Sequence, residues 1–111
     1  MTDTLLQNLL RLIGGARDVG GNAAVLRLSI GTEYLKRQQY DEAVRYLREA
    51  VERNPAYSAA WKQLGKALAA AGRHAEAIDA YERGIAAAQA HGDRQAVNEM
   101  TVFLRRLRRS A

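Results

Sequence analysis

The amino-acid sequence predicts an all-α fold, an antiparallel array of helix hairpins, and two observations lead to this prediction. The first is an internal repeat, because Gly31 recurs as Gly65 and Ala43 recurs as Ala77, each 34 positions later. A repeat of this length is typical of stacked helical units, none of which buries its apolar face alone. The second is that apolar residues recur at helical spacing, and no stretch shows the strict alternation of a surface strand.

Breaks in this pattern divide the chain into about six helices. Pro55 removes a backbone donor and disfavours helix at the residue before it. Gly72 and Gly92 follow long helical patterns and favour the left-handed conformation that ends a helix. Short loops make successive helices antiparallel. The predicted helices cover about residues 3–13, 23–38, 41–53, 57–71, 74–91 and 93–109.

The N-terminal region is predicted to be a capping helix followed by a glycine-rich linker. Its apolar stripe consists of Leu5, Leu6, Leu9, Leu12 and Ile13. In an alternative interpretation, Leu10 and part of the stripe are exposed and mediate self-association. The segment GGARDVGG follows, and its glycines indicate a mobile linker. We therefore expect one domain overall, with the cap and linker in residues 1–22 and the repeat array in residues 23–111.

Two units of the array share one succession of residue types. Residues 58–91 contain Trp61, Leu64, Gly65, Leu68, Ala77, Tyr81 and Gly84. Residues 24–57 contain Ile30, Gly31, Tyr34, Ala43, Leu47, Ala50 and Pro55. These units resemble the tetratricopeptide repeat, although Arg27 stands where that family has Trp and Gln89 where it has Pro. Residues 92–111 supply one further helix, which we interpret as a C-terminal cap.

The resemblance implies a tetratricopeptide-like α-solenoid whose first helix in each hairpin lines a concave groove for a peptide or helix. Such proteins are adaptors that use no cofactor. The positions implied for the groove are Leu28, Thr32, Leu35, Lys36, Lys62, Lys66, Met100 and Phe103. Lys62 and Lys66 are four residues apart and share a helix face, which favours an acidic protein or peptide partner. In the alternative interpretation, the two lysines are merely solvated and the apolar residues fill the core.

The net charge of +5 is concentrated at the C-terminal end, in a basic patch. Its residues are Arg105, Arg106, Arg108 and Arg109. Cations also favour the negative end of a helix dipole, so a solvated helix end explains them equally. Two alternative functions remain open at this point. One is a nucleic-acid accessory protein that uses this patch, and the other is a self-assembling structural module, in a chain expected to be a monomer or weak homodimer.

Little in the sequence supports catalysis. The chain has no Cys, which excludes disulfides and thiolate metal sites. It has two His, and neither completes a Ser-His-Asp arrangement or a zinc site. We predict no catalytic residue, metal or cofactor. No apolar run approaches the length of a membrane span, and the N-terminus has no secretory pattern, so we expect a cytoplasmic protein without a membrane partner.

Overall fold

A computed structural model describes residues 4–110, and every regular element in that range is a helix. The six helices are α1 (Thr4–Arg11), α2 (Gly21–Lys36), α3 (Tyr40–Arg53), α4 (Ser58–Ala70), α5 (His74–Ala90) and α6 (Arg94–Ser110). The all-α prediction is therefore confirmed, and helix ends differ from the predicted ones by a few residues. The predicted start of the first helix, at residue 3, lies outside the described residues.

Glycine makes the close approach of the two helices in each hairpin possible. A Cβ atom built on Gly31 of α2 would lie 2.5 Å from Cγ of Leu47 in α3. A Cβ atom on Gly65 of α4 would lie 2.5 Å from Cε1 of Tyr81 in α5. Real Cβ atoms do not approach carbon this closely, so each hairpin needs glycine where the two helices touch. The large side chain stands 16 positions after the glycine in both units.

The helix α6 is attached by a third contact of this kind. A Cβ atom on Gly84 of α5 would lie 2.5 Å from Sδ of Met100 and 2.8 Å from Cβ of Trp61. Met100 is fully buried, as are Leu47 and Leu68 in the same core. The core therefore runs without interruption from α3 to α6, and α6 covers the apolar face that the second hairpin would otherwise expose.

The helix α1 packs on α2 with a partly different set of leucines from the predicted one. Leu6 is buried against Leu26 and Ile30, and Leu9, Leu10 and Ile13 pack around this cluster. Leu5 and Leu12 are 55% and 41% exposed. The expectation that Leu5 and Leu12 face the core is wrong, because α1 is rotated so that Leu6 points at α2. Of the alternative interpretation, exposure of part of the stripe is found, whereas Leu10 is half-buried.

The glycine-rich segment is a folded turn, and a buried ion pair holds it in place. Arg27, which stands in the Trp position of the first unit, is 4% exposed. Its Nη2 donates to Oδ2 of Asp18 at 3.0 Å, and its Nε donates to Oε1 of Glu49 at 2.9 Å. Asp18 Oδ2 also accepts the Gly14 N–H at 2.8 Å. Asp18 thus fastens to α2 a turn that the glycines alone had indicated to be a mobile linker.

We expect acid to weaken the fold through Asp18. The hydrogen bond from Arg27, and then that from the Gly14 N–H, lower the pKa of Asp18 from 3.8 to about 2. Because the folded-state pKa is the lower one, this stabilisation is complete above pH 4 and is lost as the pH falls towards 2. Urea unfolding between pH 5 and 2 should show a steeper loss of stability in the wild type than in Asp18→Asn. Equal slopes would contradict this assignment.

Candidate functional site

One face of the molecule is formed by the first helix of each hairpin together with α6. The helix α4 contacts both α2 and α6, so these three helices form a continuous inner layer. The backbones of the second helices, α3 and α5, stay apart within the described chain, with no pair of Cα atoms within 8 Å, and only long side chains reach across. An array whose inner helices touch while its outer helices diverge is curved, and its concave face is the one formed by α2, α4 and α6. We refer to this surface as the concave face.

The positions predicted on α2 differ in their accessibility. Leu28 and Leu35 are half-buried and pack against the main core, and Thr32 is half-buried between them in sequence. Lys36 is exposed, and its Nζ lies 3.7 Å from Oε1 of Glu33. The helix α2 therefore offers two partly accessible apolar side chains, with a cation at its C-terminal end.

The two predicted lysines on α4 have different environments. Nζ of Lys62 lies 3.5 Å from Oε2 of Glu99 on α6, so its charge is partly compensated. Nζ of Lys66 lies 5.8 Å from the centroid of the Phe103 ring, in a cation–π arrangement. The ring of Phe103 also contacts Tyr81, with centroids 5.8 Å apart. Sequence reasoning assigned Lys66 and Phe103 to the same groove without predicting their contact, and it missed the pairing of Lys62 with Glu99.

Met100 does not belong to an accessible groove, and that prediction is wrong. Its side chain fills the space beside Gly84 and has no exposed surface. The physical reason is the missing Cβ of Gly84, which leaves a hole that only an inward-pointing side chain of α6 can fill. Met100 thus stabilises the packing of α6 on α5 and cannot contact a ligand on the concave face.

The predicted basic patch is divided among different surroundings. Arg108 donates from Nη2 to Oε2 of Glu82 on α5 at 2.7 Å. Arg106 lines a pocket of about 210 Å³ with Ala69 and Phe103. Arg105 and Arg109 are exposed and have no ion-pair partner among residues 4–110. The four arginines therefore do not form one uniform surface, and Arg106 lies next to Phe103 at the pocket that both residues line.

A second concavity lies on the opposite, outer side, where α3 and α5 diverge. This pocket has a volume of about 480 Å³, and Trp61, Leu64 and Leu68 contribute to its lining. The indole Nε1 of Trp61 donates to the Pro55 carbonyl at 2.8 Å. Four of the five charged groups in its lining are paired, for example Arg83 with Asp79 at 3.0 Å. Sequence reasoning assigned Trp61 to the repeat pattern and did not indicate this pocket.

One rim carboxylate, that of Glu76, is held by two arginines. Arg73 donates from Nε and Nη2, each at 2.9 Å, and Arg48 donates from the neighbouring hairpin. The hydrogen bonds from Arg73, and then from Arg48, lower the pKa of Glu76. The pair with Arg48 links the two hairpins across the outer pocket.

No constellation suited to catalysis or metal binding occurs in the described part of the chain. Between residues 4 and 110, no group of three or more His, Asp or Glu residues could hold a metal ion. His91 is engaged locally, with Nδ1 2.9 Å from the Ala87 carbonyl. Of the helices in this range, none has the length and apolar character needed to cross a bilayer.

The fold and the concave face define a helical-repeat scaffold protein. A family model described as the tetratricopeptide repeat matches residues 28–92. The chain therefore belongs to the tetratricopeptide repeat family, as the repeat of 34 residues indicated. Proteins of this family generally mediate protein–protein interaction and are generally non-catalytic.

Similar proteins occur in several bacteria. The chain is 50% identical over 91 residues to the TPR repeat-containing protein PA0015 of Pseudomonas aeruginosa, which covers 82% of this chain and 87% of that protein. The solution structure of BPP2914 from Bordetella parapertussis is 41% identical and superposes with a TM-score of 0.81, covering 96% and 90% of the two chains. A tetratricopeptide repeat domain protein of Salinibacter ruber gives a TM-score of 0.70 at 27% identity, covering 76% and 85%.

Proposed function

We propose that this protein is a non-catalytic adaptor that binds a peptide or helical segment of another protein on its concave face. The observation that carries the proposal is the continuous inner layer of α2, α4 and α6, with half-buried Leu28, Leu35 and Phe103 and the cation of Lys66. Partly accessible apolar anchors beside a few polar groups are the usual composition of a recognition surface.

The size of the face limits what it binds. The central helix α4 has 13 residues, which at ~1.5 Å per residue gives a length of roughly 20 Å. An extended peptide rises by ~3.3 Å per residue, so about six of its residues span this length. A short linear segment or a few turns of helix therefore suffices as a ligand, and a larger partner would contact the face through one such segment.

The proposal is tested by capturing partners from a lysate of the source cells, with and without nuclease. The variant Lys62→Glu, Lys66→Glu reverses two charges four residues apart on α4. Arg105→Glu, Arg109→Glu is its matched control, because it makes the same charge change at the same spacing on exposed positions of α6. Circular dichroism melts should show both variants folded, with a small loss of stability in the α4 variant, because Lys62→Glu replaces the pair with Glu99 by two facing carboxylates.

We expect a protein partner that resists nuclease, is lost with the α4 variant and is kept by the α6 variant. Reversing charges at the rim of an interface weakens binding, and each loss of 1.4 kcal/mol in binding free energy lowers the affinity about tenfold. A pull-down detects a loss of this size. Partners unaffected by the α4 variant would contradict the use of the concave face. Partners that disappear on nuclease treatment would transfer the function to nucleic-acid binding. Protein partners lost only with the Arg105 and Arg109 substitutions would transfer the binding surface to the C-terminal basic patch.

A further inference from the structure

We propose that the furrow between α4 and α6 recognises an acidic residue followed or preceded by an apolar one, at the corner formed by Lys66, Phe103 and Arg106. This inference rests on the proposed function and names the chemistry of the partner segment. The corner is hereafter the Lys66 corner. Three observations on the concave face carry the inference, namely the polarity of the furrow, two uncompensated cations and an adjoining apolar pocket.

The furrow changes its charge along its length. The helices α4 and α6 lie side by side, and Lys62 meets Glu99 while Lys66 meets Phe103 further along both helices. Glu99 and Asp93 line the N-terminal end of the furrow. Lys66 of α4 and Arg106 of α6 lie towards its C-terminal end. Lys66 lies over the Phe103 ring, and Arg106 lines a pocket together with Phe103. A bound segment is therefore oriented by its charges, with its acidic part at the Lys66 corner.

The cations at this corner differ from most others in the chain. Arg27, Arg48 and Arg83, for example, each have a carboxylate partner. Among residues 4–110, neither Lys66 nor Arg106 has an ion-pair partner. Both are exposed, and each adjoins Phe103, Lys66 over its ring and Arg106 in the pocket that Phe103 also lines. An incoming carboxylate would consequently meet two cations that no internal group neutralises, and hydrogen bonds of that charged kind are among the strongest available.

An apolar pocket adjoins the corner. It has a volume of about 210 Å³, and its lining includes Ala69, Tyr81 and Leu107 besides Phe103 and Arg106. At about 30 Å³ for each water molecule, it has room for several waters, which one apolar side chain would displace. Because Arg106 borders the pocket, the acidic and apolar residues of the ligand must be close in its sequence.

Charge also argues for an acidic peptide rather than a nucleic acid. A nucleic-acid strand carries a negative phosphate at every nucleotide and needs a cationic track along its whole length. At its other end the furrow has Asp93 and the pair of Lys62 with Glu99, so its lining there offers no uncompensated cation to a continuous polyanion. A peptide places one carboxylate at the Lys66 corner and leaves the rest of the furrow to uncharged or basic residues.

The test uses a phage-displayed library of random dodecapeptides, selected against three forms of the full chain. These are the wild type, the variant Lys66→Gln with Arg106→Gln, and the matched control Arg105→Gln with Arg109→Gln. Both variants remove two exposed cations, but only the first removes them from the Lys66 corner. One selected peptide is then titrated by fluorescence anisotropy, together with its analogue in which the acidic residue is replaced by the corresponding amide.

We expect wild type and control to enrich peptides with Asp or Glu next to an apolar residue, and the Lys66/Arg106 variant to lose this preference. The amide analogue should bind about three- to tenfold more weakly to the wild type. It should bind the Lys66/Arg106 variant as tightly as the parent peptide does.

Several results would overturn the inference, and they separate it from the adaptor proposal. Peptides without acidic preference that are lost in Lys62→Glu, Lys66→Glu would reject the acidic ligand and leave the adaptor intact. Equal loss in the Arg105/Arg109 control would show an unspecific charge effect. Binding of a single-stranded oligonucleotide in place of any peptide, abolished by neutralising Lys66 and Arg106, would reject both proposals. Peptides that bind the wild type, the Lys66/Arg106 variant and the Lys62→Glu, Lys66→Glu variant equally well would also reject both proposals.

Discussion

Replacing Arg27 by alanine should lower the free energy of unfolding by about 3–5 kcal/mol, the range found when one partner of a buried ion pair is removed. The Arg27 guanidinium is almost inaccessible, and it donates to the carboxylates of Asp18 and Glu49. Without it, both carboxylates lose a charged donor, and the turn that contains Asp18 loses its attachment to α2. Urea unfolding at neutral pH measures the difference.

Arg53→Ala is the control for this prediction. Arg53 also reaches Glu49, with its Nη1 3.9 Å from Oε1, but its side chain is 43% exposed. An exposed pair contributes about 0–1 kcal/mol, so we expect a small change. Similar losses for the two variants would contradict the importance of burial. If Arg27→Ala does not fold, Arg27→Lys keeps the charge but loses the forked geometry, and it should be less stable than the wild type yet folded.

Gly65→Ala should destabilise the protein although alanine is the better helix former. A Cβ atom at this position would lie 2.5 to 2.7 Å from three carbons of the Tyr81 ring. Overpacking of this kind costs about 1–3 kcal/mol, and the gain in helix propensity returns about 1 kcal/mol at most. Thermal and urea unfolding should therefore show a net loss. Tyr81 is buried, so its ring has little room to move away. The same burial raises the pKa of Tyr81 to about 12.

Two comparisons isolate the steric cause. Gly21 is helical and has nothing within 4 Å of its added Cβ, so Gly21→Ala should be neutral or slightly stabilising. In a Tyr81→Ala background the obstructing ring is absent, and Gly65→Ala should then raise stability rather than lower it. A penalty that is the same with and without Tyr81 would contradict the packing explanation and point to the backbone instead.

The repeat of 34 residues was sufficient to predict the helices and the hairpins, because local periodicity determines both. It also located Gly72 and Gly92, whose φ angles of 79° and 70° end helices α4 and α5. The corresponding residue in the first unit is Gln38, with a φ of 61°. Sequence reasoning missed this position, because the packed hairpin forces a left-handed turn there on a residue with no preference for it.

Contacts between residues far apart in the sequence explain the other differences between the predicted and the observed structure. Arg27 looked like a departure from the repeat pattern, since nothing local indicates that Asp18 and Glu49 converge on it. At the candidate site, the family resemblance assigned Lys66 and Phe103 to the groove. The resemblance could not distinguish Met100, which packs into the gap at Gly84, from a residue that faces a ligand. Arg106 was grouped with its neighbours in sequence, whereas its pocket lies towards α4.

The most direct test of the concave face as the binding surface is amide chemical-shift mapping on the ¹⁵N-labelled protein. The ligand is a selected peptide, or the contacting segment of a captured partner. We predict saturable amide chemical-shift changes on α2, α4 and α6, centred on Lys66, Phe103 and Arg106. Shifts centred on the outer pocket around Trp61 and Glu76, or confined to Arg105 and Arg109, would contradict it.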